Sequence, residues 1–223
     1  MRSIKAAFIL MAAGCAIHAG CHSIPVPPDE SDTPNARSKE AYELSLKAQE
    51  AQKNGKTEQA IDYYQRAAML QPNFRGVWNN LGVLLMSQNR FIDAAEAFKR
   101  EADLAPEDPR PLENLGLVYY TAGFADQAMT YYFSSLDRDP NWVPALRGVA
   151  LSSRRLVQAD QKTADVLRRA LMVETDPEWR KVFEQERLRV ENQLREQLDA
   201  DGASSGSSGT RRGADVPPAL PVR

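Results

Sequence analysis

Cysteine and histidine are missing from most of this chain. Both cysteines (Cys15, Cys21) and both histidines (His18, His22) fall within the first 22 of 223 residues. From Ser23 onward, disulfides, thiolate nucleophiles, Cys/His zinc sites and histidine acid–base chemistry are therefore excluded. Charge of one sign is lacking too. Lys and Arg number 28 against 30 Asp and Glu, a formal net charge of −2, so no bulk electrostatic attraction favours nucleic acid. No Gly-rich phosphate loop, metal-ligand spacing or nucleophile–base set is found. Carboxylate pairs exist, Glu113 with Asp126 and Asp137 with Asp139, but Asp137 and Asp139, like Asp108, stand beside turns and prolines, where such residues shape loops. These absences predict a chain that is not an enzyme, with no cofactor, no metal and no small-molecule substrate.

What is present is periodicity. Hydrophobic residues make up 43% and charged residues 26%, a soluble globular composition. Trp78, Leu81, Gly82 and Leu85 fall on one face of a helix, and Phe91, Ala94, Ala95 and Phe98 repeat that period before Pro106 ends the run. The tight link Gln88-Asn89-Arg90 joins the two into a helical hairpin. One hairpin cannot bury its apolar stripe alone. A shift of 34 residues supplies the neighbours: Leu81-Gly82 becomes Leu115-Gly116, Ala94 becomes Ala128, Phe98 becomes Tyr132 and Pro106 becomes Pro140. The shift in the other direction reaches Ala60, Tyr64 and Pro72.

A Trp, then Leu-Gly, an aromatic, Ala, an aromatic and a closing Pro at this period resembles the tetratricopeptide repeat. The resemblance covers 41–74, 75–108 and 109–142, with a degenerate fourth copy over 143–174, so that repeats fill 39–174. It implies an all-α fold, a right-handed superhelical solenoid of antiparallel helix pairs. Within it Trp78, Leu81, Gly82, Ala94, Phe98, Leu115, Gly116, Ala128 and Tyr132 are expected to be structural. Gly82 and Gly116 cost about 1 kcal/mol each mid-helix, which makes sense where a neighbouring helix passes too close for a β-carbon. Asp176-Pro177 is a cap and first-turn pair opening an amphipathic stretch, 177–200, read as a C-terminal helix that covers the last repeat. Its stripe is Trp179, Val182, Phe183, Val190, Leu194 and Leu198. Residues 201–223 are Gly/Ser/Pro-rich, a composition that predicts a disordered tail.

The N-terminus carries Arg2 and Lys5, then the short apolar run Ala6–Ala13, which reads as an export signal over 1–20. The run is too short for a spanning helix. Ala12-Ala13-Gly14-Cys15 and His18-Ala19-Gly20-Cys21 both resemble the bacterial lipoprotein cleavage box. Cys21 is the preferred lipidation site and Cys15 the alternative, because Cys21 leaves a signal of usual length although His18 stands where Leu or Val is usual. An ordinary secreted protein cut near Ala19 or Gly20 is the other reading. Residues 21–38, with Pro25, Pro27, Pro28 and Pro34, form an extended spacer.

The resemblance also implies a groove lined by the first helix of each repeat. By spacing, its candidate peptide-binding residues are Gln49, Asn79, Asn80, Val83, Ser87, Arg110, Glu113, Asn114, Leu117, Thr121 and Arg147, with Ser45, Lys53, Leu151 and Arg154 beside them. Asn80 and Asn114 stand where the family has Asn that bonds a bound peptide's backbone. The family's grip on a C-terminal carboxylate needs cations that this chain mostly lacks, Arg110 being the one plausible substitute. The expected partners are other proteins, plus a membrane through the N-terminal lipid, with no nucleic acid. The expected function is an interaction scaffold of a bacterial envelope, facing the periplasm, in assembly of a pilus or secretion complex. The alternatives are an adaptor for periplasmic cell-wall enzymes, or a structural homodimer through 178–200. No residue names the partner.

Overall fold

The computed structural model describes residues 36–156 and 159–206. Cys15, Cys21, the signal over 1–20 and the spacer up to residue 35 lie outside the described residues, as does the tail beyond Gly206. The described residues form nine α-helices and no strand. Four antiparallel pairs come first: α1 (Ala36–Lys53) with α2 (Thr57–Leu70), α3 (Val77–Ser87) with α4 (Phe91–Leu104), α5 (Arg110–Thr121) with α6 (Ala125–Arg138), and α7 (Val143–Arg155) with α8 (Gln161–Val173). The last helix is α9 (Pro177–Gly206). Two boundaries differ from expectation. Helix α1 begins inside the 21–38 spacer, past its last proline, and α9 continues beyond Ala200 to Gly206.

The link inside each of the first three pairs closes on one residue of left-handed backbone. Gly55 (φ 71°), Asn89 (φ 59°) and Gly123 (φ 95°) stand 34 residues apart, and Asn is the non-glycine residue that tolerates that geometry best. The chain can then reverse and pack the second helix on the first. Three aromatic rings at one repeat position, Tyr64, Phe98 and Tyr132, are each almost fully buried between the helices. A β-carbon on Gly82 would lie 2.6 Å from Cε1 of Phe98, and one on Gly116 would lie 2.6 Å from Cδ1 of Tyr132. The glycines therefore let each ring lie flat against the preceding helix. Ala94 and Ala128, both fully buried, keep the second helices equally close.

Successive first helices touch: α3 meets α5, α5 meets α7, and α9 continues the row against α7. No second helix among the described residues packs on the next second helix to that extent, so the stack bends toward the first-helix face. One core cluster runs from Ala41 to Val118 and a second from Ala128 to Val190, with Tyr119 packed against both. Helix α9 places Phe183 and Val190 in the second cluster. Its stripe is shorter than expected, because Leu198 lies past the end of the repeats and is exposed. No helix among the described residues is long and apolar enough to cross a membrane.

Candidate functional site

The inner face is carried by α1, α3, α5 and α7, and its residues repeat at the 34-residue period. The asparagines on it are not open to a ligand in the way their spacing predicts. Asn79 and Asn80 are 1% and 5% exposed, and Asn114 is 5% exposed. Asn114 Nδ2 donates to Asn79 Oδ1 at 2.9 Å, tying α5 to α3. Asn80 Nδ2 donates to the Tyr64 hydroxyl at 3.3 Å, tying α3 to α2. Burial pushes the Tyr64 hydroxyl up to about 12, against the opposing effect of that bond, so it stays protonated. Ser45 is buried as well, its hydroxyl donating to the Tyr42 carbonyl. These side chains hold repeats together; the physical reason is that successive first helices lie close enough for a short amide to bridge them.

Glu101 of α4 completes the network. Its carboxylate accepts from the Gly76 amide at 2.7 Å and the Asn79 amide at 3.3 Å. It thereby satisfies orphan donors at the start of α3, where negative charge is favoured. Burial raises its pKa, and the two backbone bonds pull against that rise. Neither Glu101 nor Tyr64 stood out in the sequence, because both partners lie tens of residues away.

The cations expected in the groove are engaged by acids of the chain itself. Asp108 grips Arg110 through both oxygens, its Oδ2 accepting from Nη2 at 2.6 Å. Burial would raise the Asp108 carboxyl, but the Arg110 side chain and amide hold it below its usual range. Arg147 donates twice to the buried Glu174, at 2.8 and 2.9 Å, and lies 4.8 Å over the Trp179 ring. Farther along, Arg155 donates to the Tyr120 carbonyl and covers its ring. The positive half of a carboxylate grip is thus spoken for.

What remains open is mostly apolar. Gln49, Val83, Leu117 and Leu151 share one repeat position and are all half-buried; Met86 and Tyr120 share another and are half-buried too. Ser87 and Thr121 are exposed, with hydroxyls turned back to the carbonyls of Leu84 and Leu117. Glu113 stands apart. It is 6% exposed, and burial pushes its carboxyl up to about 7, with no opposing cation or donor.

Residues 45–109 match the family model described as tetratricopeptide repeat. Among curated relatives, the chain is 33% identical over 92 residues to photosystem I assembly protein Ycf3 of Synechococcus sp. (strain CC9311), covering 40% of this chain and 53% of that protein. It spans about half the length of the several Ycf3 proteins it matches. Among solved structures, the first tetratricopeptide domain of Spaghetti (RPAP3), bound to an HSP90 peptide, superposes with TM-score 0.51 at 20% identity, over 54% of this chain and 95% of that one. A double mutant of MamA RS-1 superposes with TM-score 0.55 at 18% identity, over 64% and 80%. These likenesses show the fold: a solenoid of tetratricopeptide-like helix pairs.

Proposed function

We propose that this protein is a non-catalytic docking scaffold that holds an extended peptide segment of a partner along its first-helix face. The observation that carries this reading is the open apolar strip Val83–Leu117–Leu151 with Met86 and Tyr120, on the inner side of a curved helix-pair stack. An extended chain laid there can bury alternate apolar side chains, while the neighbouring asparagines keep the wall rigid. The peptide held by the RPAP3 domain, and the assembly role in the name of the Ycf3 proteins, support a scaffold that brings proteins together.

The finer reading follows the N-terminal sequence. The basic start, short apolar run and Gly20-Cys21 pair support export and lipid anchoring, which would place the repeats on a bacterial envelope membrane for assembly of a complex such as a pilus or secretion machine. The homodimer alternative is disfavoured because Phe183 and Val190 are buried within their own chain, leaving a coiled-coil seam without its central residues.

The groove is tested by Val83→Asp/Leu117→Asp in the full-length protein. Proteins captured from envelope extract by wild type should be lost while helical circular dichroism is kept; an unchanged captured set moves binding to another face. The anchor is tested by labelled palmitate, which should enter wild type and fail to enter Cys21→Ser. Label retained there but lost in Cys15→Ser reverses the assignment.

A further inference from the structure

Two adjacent positions on the first helices carry a side-chain ladder that breaks at one rung. The fifth residue of each repeat is Asn79, Glu113 and Arg147 in turn, and the sixth is Asn80, Asn114 and Gly148. At the first interface the donor Asn114 reaches back to the acceptor Asn79. At the next, the acceptor is Glu113 and the residue in the donor's place is Gly148, which has no side chain to give. Gly148 is required there: a β-carbon would run into the ring of Tyr132, which fills that space. The cation in register with Glu113 one repeat on, Arg147, is held instead by Glu174 and Trp179. Arg110, one turn before Glu113, is held by Asp108. No described residue pairs with the Glu113 carboxylate, although 94% of the side chain's surface is covered, its 6% exposure being all that remains.

A nearly buried carboxylate without a donor is costly, and a groove that keeps one beside an apolar strip is complementary to a donor brought from outside. We propose that Glu113 receives a lysine or arginine side chain of the bound peptide, so that the groove selects a cationic residue flanked by apolar ones. The inference rests on the groove reading given above. Half-covered Leu117, one helical turn after Glu113, takes the flanking apolar side chain, and the low-dielectric surroundings strengthen the pair relative to an exposed one. A carboxylate-ended or acidic segment would meet Glu113 with like charge and is rejected.

The test uses the full chain and fluorescein-labelled peptides of alternating Ser, Ala and Leu with a central Lys, Arg, norleucine or Glu, read by fluorescence anisotropy. In wild type the Lys and Arg peptides should bind about tenfold or more tightly than the norleucine peptide, the Glu peptide most weakly. Glu113→Gln should level Lys with norleucine and keep the norleucine affinity, and Val83→Asp/Leu117→Asp should abolish binding of all four. The comparison of peptides on wild type needs no variant, so it stands even if Glu113→Gln folds poorly. Equal affinities for Lys and norleucine on wild type, or a Lys preference that survives Glu113→Gln, overturn the role of Glu113 while leaving the groove intact. Absence of any binding sensitive to Val83→Asp/Leu117→Asp overturns the groove and this inference together.

Discussion

At the scale of single residues, Glu113 and the helix glycines set opposite demands on stability. The folded-state pKa of Glu113 is pushed from 4.5 to about 7 by burial. The folded protein therefore holds a proton that the unfolded chain gives up between those values. Stability falls as pH rises through that window, and above it the ionised group is a standing cost. Glu113→Gln should stabilise the protein by roughly 2–3 kcal/mol at pH 8, with the difference shrinking toward zero as pH approaches 4.5, as read from denaturant unfolding. A gain that is independent of pH would show that the carboxylate is not the source. Gly82→Ala tests the close approach. Alanine favours the helix by about 1 kcal/mol, but its β-carbon would meet the Phe98 ring at 2.6 Å, an overpacking cost of about 1–3 kcal/mol. The net effect should be a loss of stability, and Gly82→Ala/Phe98→Leu should recover part of it.

At the scale of elements, arginines reaching across to the ends of other helices are a recurring device. Arg138 donates to carbonyls of Ala102, Ala105 and Asp108 at the end of α4, Arg180 to those of Leu171 and Glu174 after α8, and Arg189 to that of Ser153 in the last turn of α7. Each satisfies carbonyls that the helix leaves orphaned and places positive charge at the negative end of the dipole. The last repeat is also locked to α9 by Arg147 and Glu174. Burial would raise the Glu174 carboxyl, yet Arg147 and the Asp176 and Thr175 amides together bring it below its usual value. A depressed carboxylate lends stability above its unfolded pKa and loses it as pH falls through the folded one. Arg147→Ala should therefore cost about 2 kcal/mol at neutral pH, discounted because the arginine is partly exposed, and less in acid, where Glu174 is protonated. Phe183, fully buried where α9 meets the second core cluster, should cost about 3–5 kcal/mol as Phe183→Ala, by thermal or denaturant unfolding.

At the scale of the whole molecule, a stack in which each pair meets its neighbours responds to damage locally. Leu146 is fully buried in the cluster that spans Ala128 to Val190, and Leu146→Ala should cost about 2–5 kcal/mol. Amide hydrogen exchange should show protection lost across α6 to α9 before α1 and α2, whose core belongs to the other cluster. Uniform loss along the chain would mean that the stack unfolds as one cooperative unit instead.

The sequence by itself determined the helix pairs, their period and the residues that space them. Trp78, Leu81, Gly82, Ala94 and Phe98 recur at an interval that only a stacked hairpin can use, and left-handed turns need Gly or Asn wherever they occur. A repeat period identifies which helix a residue sits on. It does not identify what lies across from that residue, because the facing side chain comes from the next repeat and depends on how closely the helices cross. Asn79, Asn80 and Asn114 therefore read as groove residues, and only the tertiary structure decided that they bond one another and Tyr64. Arg110 and Arg147 read as free cations until Asp108 and Glu174 were brought against them. Glu113 read as one polar position among many. The neighbouring repeat, by offering Gly148 in the place of a donor, decided that its charge would be left for something outside the chain.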